Sequence, residues 1–248
     1  MDKEKKLIDG LRGIIPSLHT PFCNQNKIDI PSLKNLIDHT ITTGCSGMLV
    51  GAVAGENSSL SFEEKKMIID ECSSYNKNRI PIIISCSAKN QKDRVALAKS
   101  AKEAGADWIL CQTPENVSGN ELLQCFNEIA EAGPHNLMIQ DLSWTDNGMS
   151  DEDIMLLFEN INKFRALKIE VLNSGPKYSR ILEAANHQLH LSGGWAIMGM
   201  IEALNRGVHA FIPSTMEIIY NKIYKLFTEN EIEACLLYTS DAADEWLR

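Results

Sequence analysis

Short apolar runs alternate with amphipathic stretches along the chain, and the alternation occurs eight times. The runs Gly13–Leu18, Gly47–Val53, Ile80–Cys86, Trp108–Gln112, Leu137–Gln140, Ala166–Val171, Leu189–Ser192 and Val208–Ile212 are rich in β-branched residues and show little polar alternation. That pattern predicts strands buried on both faces, as in a parallel sheet. The stretches between them predict helices over Ile28–Thr43, from Ser61 to about Tyr75, and over Lys92–Ala104, Asn120–Ala132 and Asp151–Ile161. Three more are expected over Tyr178–Ala185, Ala196–Asn205 and Met216–Phe227. In the first, Leu33, Leu36, Ile37 and Ile41 share a face and Gly44 sits where a C-cap belongs. Ser61-Phe62-Glu63-Glu64 has the form of a capping box.

Eight βα units are the number that closes a barrel, so the predicted fold class is α/β, a (β/α)8 TIM barrel filling residues 1–230 as one catalytic domain. An open doubly wound sheet is the competing architecture, but no Gly-x-Gly-x-x-Gly follows the first strand. The totals agree with one sizeable core: 248 residues, 44% hydrophobic. A net charge of −9 without a basic cluster argues against nucleic acid or a membrane surface as partner. The mixed charges of Met1 to Lys6 lead into no long apolar run, so no secretory signal or membrane span is expected. Seven scattered cysteines with no Cys-x-x-Cys fit reduced thiols in the cytoplasm, and the histidines have no metal-ligand spacing.

Chemistry in such a barrel belongs at the carboxyl ends of strands. By position the candidates there include Thr20, Gly55-Glu56, Ser85 to Ser87, Thr113, Gln140-Asp141, Lys168 to Glu170, Ser192-Gly193-Gly194 and Pro213-Ser214. Lys168 is the one amine among them lying within a strand, Phe164-Arg165-Ala166-Leu167-Lys168-Ile169-Glu170-Val171. Desolvation there would favour a neutral amine, a nucleophile for carbonyls. The bland alternative is a lysine whose stem packs while its head reaches water. Glu170, two residues on, lies on the same face and is either an acid/base or an ion-pair partner. Asp141 is either an acid/base or a turn residue. Glu56 also suits the first turn of a helix, and Ser192-Gly193-Gly194 reads equally as a close approach to a ligand or a plain turn.

Thr20-Pro21-Phe22, Gly55-Glu56 with Leu60-Ser61 and Glu63-Glu64, Ala104-Gly105-Ala106-Asp107, Thr113-Pro114 and Ser192-Gly193 stand in order along the chain. On these landmarks it resembles the dihydrodipicolinate synthase and N-acetylneuraminate lyase family of class I Schiff-base aldolases, from about Gly13 to about Phe227. The resemblance implies that Lys168 is the Schiff-base lysine, that no cofactor or metal is used, and that pyruvate or a 2-keto-3-deoxy acid is the substrate. It also implies that Val53, Ala54, Gly55 and Glu56 of the second loop, with Ser192, Gly193 and Gly194, bind that substrate.

The departures from the family pattern are concentrated in the proton relay. The family's Gly-Thr-Thr-Gly-Glu loop reads Ala52-Val53-Ala54-Gly55-Glu56 here, without hydroxyls. Its fifth-strand Tyr-Asn reads Gln140-Asp141, so the chain resembles a divergent branch with Gln-Asp followed by Lys-x-Glu. A glutamine orients but does not shuttle a proton at neutral pH. Glu115-Asn116 stand where a neighbouring subunit's tyrosine is usual, and no substrate-recognising arginine occurs near Trp144-Thr145. Asp141 and Glu170 are the natural replacements as acid/base.

The expected function is a lyase, aldolase or dehydratase working through Lys168, with Gln140, Glu170 and Asp141 as the other catalytic candidates. The alternative is an inactive barrel of the same ancestry that binds a keto acid or a partner protein. A phosphate-binding barrel would want more than Gly193-Gly194 in its last loops. The family usually continues past the eighth helix into a helical bundle that supports homo-oligomers, dimers or tetramers. Here residues 235–248 resemble a translated adapter, so a truncated helical extension followed by a non-native tail is expected.

Overall fold

The computed structural model describes residues 11–195 and 199–237. The main sheet contains β1 (Gly13–Ile14), β4 (Met48–Val50), β5 (Ile82–Ser85), β6 (Trp108–Gln112), β7 (Asn136–Leu142), β8 (Phe164–Glu170), β9 (His190–Gly193) and β10 (Ala210–Phe211). Its strand order is β1-β10-β9-β8-β7-β6-β5-β4, with every pair parallel. The two ends of that order meet through the Ser17–Leu49 bridge, where Leu18 N–H donates to Leu49 O at 2.8 Å and Leu49 N–H to Pro16 O at 2.9 Å. That bridge closes the sheet into a (β/α)8 barrel.

Around the barrel the helices are α1 (Ile30–Thr42), α2 (Phe62–Asn76), α3 (Gln91–Glu103), α4 (Gly119–Ala132), α5 (Asp151–Asn160), α6 (Ser174–Ala184), α7 (Met200–Asn205) and α8 (Glu217–Thr228), and residues 232–237 beyond them are helical as well. None of those described is long and apolar enough to cross a membrane. The capping box forms: Ser61 N–H donates to Glu64 Oε2 at 2.8 Å and Glu64 N–H to Ser61 Oγ at 3.3 Å. Asn90 and Ser150 cap α3 and α5 in the same manner, each accepting from the amide three residues on.

Two local features depart from the periodicity. A hairpin of β2 (Phe22–Cys23) and β3 (Lys27–Ile28) precedes α1, too short and too exposed to leave an apolar signature. Helix α6 starts at Ser174, not Tyr178, because Pro176 falls in its first turn, where the missing amide costs no hydrogen bond. Residues 196–198, the first part of the predicted seventh helix, lie outside the described residues, as does nearly all of the predicted tail.

The core has two layers. Ile15, Leu49, Ile83, Leu110, Met138, Ala166 and Ala210 fill the barrel, one from each of seven strands or their direct extensions, while a larger cluster lies between strands and helices. The phase of β8 is set by an irregularity. The register passes from Leu137↔Phe164 to Met138↔Ala166, so Arg165 is the extra residue of a bulge. Phe164 joins the outer layer and Ala166 the inner one despite their even spacing. Downstream of the bulge, Lys168 and Glu170 share the inner face with Ala166.

Candidate active site

Strands β7 and β8 bring Gln140, Lys168 and Glu170 together inside the barrel near its carboxyl end. Gln140 is registered with Lys168, and Leu142 with Glu170. Lys168 Nζ lies 2.8 Å from Glu170 Oε2, with both side chains more than nine-tenths buried. Gln140 Nε2 donates to the same oxygen at 2.6 Å. One carboxylate oxygen therefore receives two donors, and its position is fixed from both strands. The other oxygen, Oε1, faces Gly194. A Cβ on Gly194 would overlap it and stand 2.7 Å from Lys168 Cε, so any side chain there would require the Lys168–Glu170 pair to shift.

Ser192 is registered with Lys168 on the neighbouring strand β9. Its Oγ is buried and has no hydrogen-bond partner among the described residues, as is true of Ser17 Oγ in the strand extension that closes the barrel. A buried hydroxyl without a partner is costly, and a polar ligand would relieve that cost. Gly193 points the other way. A Cβ there would meet the Phe211 ring and stand 2.8 Å from the Tyr178 hydroxyl, so it serves the packing of α6.

Asp141 does not join the cluster. Strand alternation sends it outward, where its Oδ2 accepts from Lys177 Nζ at 2.6 Å and its Oδ1 from Met149 N–H at 2.9 Å. Lys177 also donates to Asn147 O at 2.7 Å and Met149 O at 2.6 Å, so the pair ties α6 to the loop after β7. Burial pushes the Asp141 carboxyl above its ordinary value, opposed by the Lys177 charge and hydrogen bond. Lys177 carries no sequence signal of this role, since Gly175-Pro176 beside it reads as a turn.

The second loop folds into a 3-10 turn, Val53–Gly55. Gly55 N–H donates to Ala52 O and Glu56 N–H to Val53 O, each at 3.0 Å, so those two amides are engaged within the turn. Thr20 Oγ1 donates to Gly55 O at 2.7 Å and His19 Nδ1 lies 3.1 Å from Ala54 O, which fastens the turn to the end of β1. Gly55 is buried, Val53 and Glu56 are exposed, and Ala54 is between. The Val53 and Ala54 amides take no part in these turn bonds. The Glu56 side chain points to solvent at a left-handed backbone position.

Residues 10–240 match the profile of the Dihydrodipicolinate synthetase family. The chain is 29% identical over 188 residues to a 4-hydroxy-tetrahydrodipicolinate synthase of Neisseria gonorrhoeae, covering 71% of this chain and 65% of that protein. A protein of the same name from Bartonella tribocorum is 31% identical over 163 residues, covering 64% of this chain and 55% of that protein. The chain thus covers less than two thirds of the length of these relatives. Among solved structures, N-acetylneuraminate lyase from Mycoplasma synoviae superposes with a TM-score of 0.86 at 25% identity, covering 97% of this chain and 82% of that one. CdNal from Clostridium difficile, solved in complex with mannosamine, gives 0.85 at 26% identity, covering 94% and 82%. Profile, sequence and barrel agree over nearly the whole described length, and the chain belongs to the dihydrodipicolinate synthetase family.

Proposed function

We propose that the protein is a lyase of the Schiff-base aldolase type, forming an imine between Lys168 and pyruvate or a related 2-keto acid. The observation that carries this reading is the buried Lys168–Glu170–Gln140 cluster. Passing a proton from Nζ to Oε2 along the 2.8 Å contact yields a neutral amine and a neutral carboxyl without changing the net charge of the buried site. The amine then adds to the keto carbon, one amine proton passes to the former carbonyl oxygen, and the Glu170 proton completes the water that leaves. The resulting iminium draws electrons from the adjacent carbon, which permits cleavage or formation of a carbon–carbon bond there.

Glu170 is the acid/base in this scheme. Gln140 is a positioning residue, since its amide holds Oε2 without exchanging protons at neutral pH. Ser192 Oγ and the Val53 and Ala54 amides supply donors for the keto acid carboxylate. Asp141 has no part in the chemistry, because its carboxylate lies in the outer layer on Lys177.

The test is borohydride reduction in the presence of pyruvate followed by mass spectrometry. The wild type should be trapped at Lys168 and Lys168→Ala should not. Glu170→Gln should be trapped only slowly, and turnover should fall about 100-fold or more, as when an acid/base group is removed. Trapping of Lys168→Ala would assign the imine elsewhere. Normal turnover by Glu170→Gln would move the acid/base.

A further inference from the structure

The barrel interior holds a hydroxyl that the imine chemistry does not use, and the strand register places it. From Ser17 the ladder runs through Leu49 and Ile83 to Trp108 on β6. From Gly13 it runs the other way, through Ala210, Ser192, Lys168 and Gln140, to Gln112 on the same strand. The two routes reach β6 at different residues, a stagger of about one residue per strand, which is the shear that closes such a barrel. Side chains at one height then come from alternate strands. With that stagger, Lys168 is level with Leu49, Leu110 and Ile212, all three in the inner core. The next level toward the mouth consists of Ser17, Ser85, Gln140 and Gly194.

Two of those four meet the reacting pair directly: Gln140 binds Glu170 Oε2, and Gly194 closes on Glu170 and Lys168. The other two stand across from it. In the closed strand order β4 lies opposite β8, with β1 and β5 on either side of β4, so Ser17 and Ser85 belong to the far wall. Ser85 Oγ is engaged, donating to Ser87 Oγ at 3.1 Å and accepting from Ser87 N–H at 3.3 Å. Ser17 is 3% exposed, its amide donates to Pro213 O at 2.7 Å, and its Oγ has no hydrogen-bond partner among the described residues. The floor beneath, Leu49, Leu110 and Ile212, offers that hydroxyl nothing polar. An unspent buried hydroxyl costs the empty protein free energy that a ligand oxygen recovers.

We propose that Ser17 is a specificity-determining residue, donating its hydroxyl proton to the carboxylate of the keto acid held on Lys168 and so selecting a keto acid over a neutral ketone of the same shape. This rests on the imine reading above. A keto acid joined to Nζ through its carbonyl carbon carries its carboxylate one bond away. The near side of the chamber is filled by Glu170, whose negative charge repels that carboxylate, so the acid end turns to the far wall. There the turn after β4 has no side-chain hydroxyl at Val53 or Ala54, and the neighbouring strand extension supplies one at Ser17. A hydrogen bond to an ionised acceptor is roughly twice as strong as one between neutral groups, so this hydroxyl discriminates by charge.

The experiment measures Kd for pyruvate and for its neutral analogue pyruvamide by ligand-observed NMR, and the pyruvate concentration that half-saturates borohydride trapping. Ser17→Ala should raise the pyruvate Kd and the half-saturating concentration about 10-fold, the loss of one hydrogen bond to a charged group. The pyruvamide Kd should rise only about 3-fold, as for a neutral acceptor. Without ligand, Ser17→Ala should unfold at a urea concentration no lower than wild type, because the hydroxyl it loses has no partner in the fold. An unchanged pyruvate Kd, or equal losses for the two ligands, overturns Ser17 as the carboxylate donor. A lower urea midpoint would reveal a partner within the fold and overturn it as well. Wild type that binds pyruvate but is not trapped overturns the imine reading, and the two Kd values still decide Ser17. Normal trapping with a Kd indifferent to Ser17→Ala overturns only the assignment of Ser17.

Discussion

Lys177→Met separates the architectural role of Asp141 from a chemical one. The substitution keeps the length of the stem in the first turn of α6 and removes its charge. Both partners of the pair are almost wholly buried, with side-chain exposures of 2% and 0%. In the variant, Asp141 keeps only the Met149 amide, and the carbonyls of Asn147 and Met149 lose their shared donor. Removing one member of a buried ion pair costs about 3–5 kcal/mol, which for a chain of this size lowers Tm by roughly 6–20 °C. The double variant Asp141→Leu, Lys177→Met leaves no charge buried at this site. Its cost should shrink to about 1–2 kcal/mol, the penalty for the Met149 amide left without an acceptor. Urea unfolding of wild type, both single variants and the double variant closes the cycle.

The pH dependence has a definite sign. The folded Asp141 carboxyl sits above its ordinary value, so the folded state holds that proton more tightly than the unfolded chain does. Its contribution favours folding below the ordinary carboxylate range and is lost as pH rises through the raised folded value. Without Lys177 the opposing pull disappears, so the deficit of Lys177→Met should be smallest in acid. A single-variant cost under about 1 kcal/mol, or a double variant as unstable as the sum of the singles, would refute the reasoning.

Two further outcomes are expected elsewhere. Gly194→Ala puts a methyl group against Glu170 Oε1 and Lys168 Cε, so trapping by pyruvate and turnover should both fall at least about 10-fold as the reacting groups are displaced; a fully active Gly194→Ala would show that the loop after β9 does not constrain the pair. His190, buried beside His209 and held by Leu11 O, is pushed down to about 3, chiefly by burial. Its stabilising contribution is full above the ordinary histidine value of 6.5 and is lost as pH falls from there toward about 3. Urea midpoints should therefore show a loss of about 2 kcal/mol from this residue by pH 5, absent in His190→Phe.

Much of this protein was legible in the order of its residues. Eight apolar runs separated by helical periodicity set the barrel, because strands covered on both faces cannot alternate and a crossover must carry a helix. The capping box at Ser61 and Glu64 formed as read, since its reciprocal bonds involve only four consecutive residues. The spacing of Lys168 and Glu170 likewise fixed their common face. Which face that was, however, depended on the bulge at Arg165, and a bulge is a property of the pairing with β7. Gln140 reached Glu170 only through register, and Asp141 went outward to a lysine from α6 that no local pattern marks. The stacking of Trp144 on Trp195 joins two loops fifty residues apart. Local physics decides which segments form elements and which residues of one element share a side. Contacts between elements depend on register, bulges and loop paths, which are settled only when the whole barrel closes.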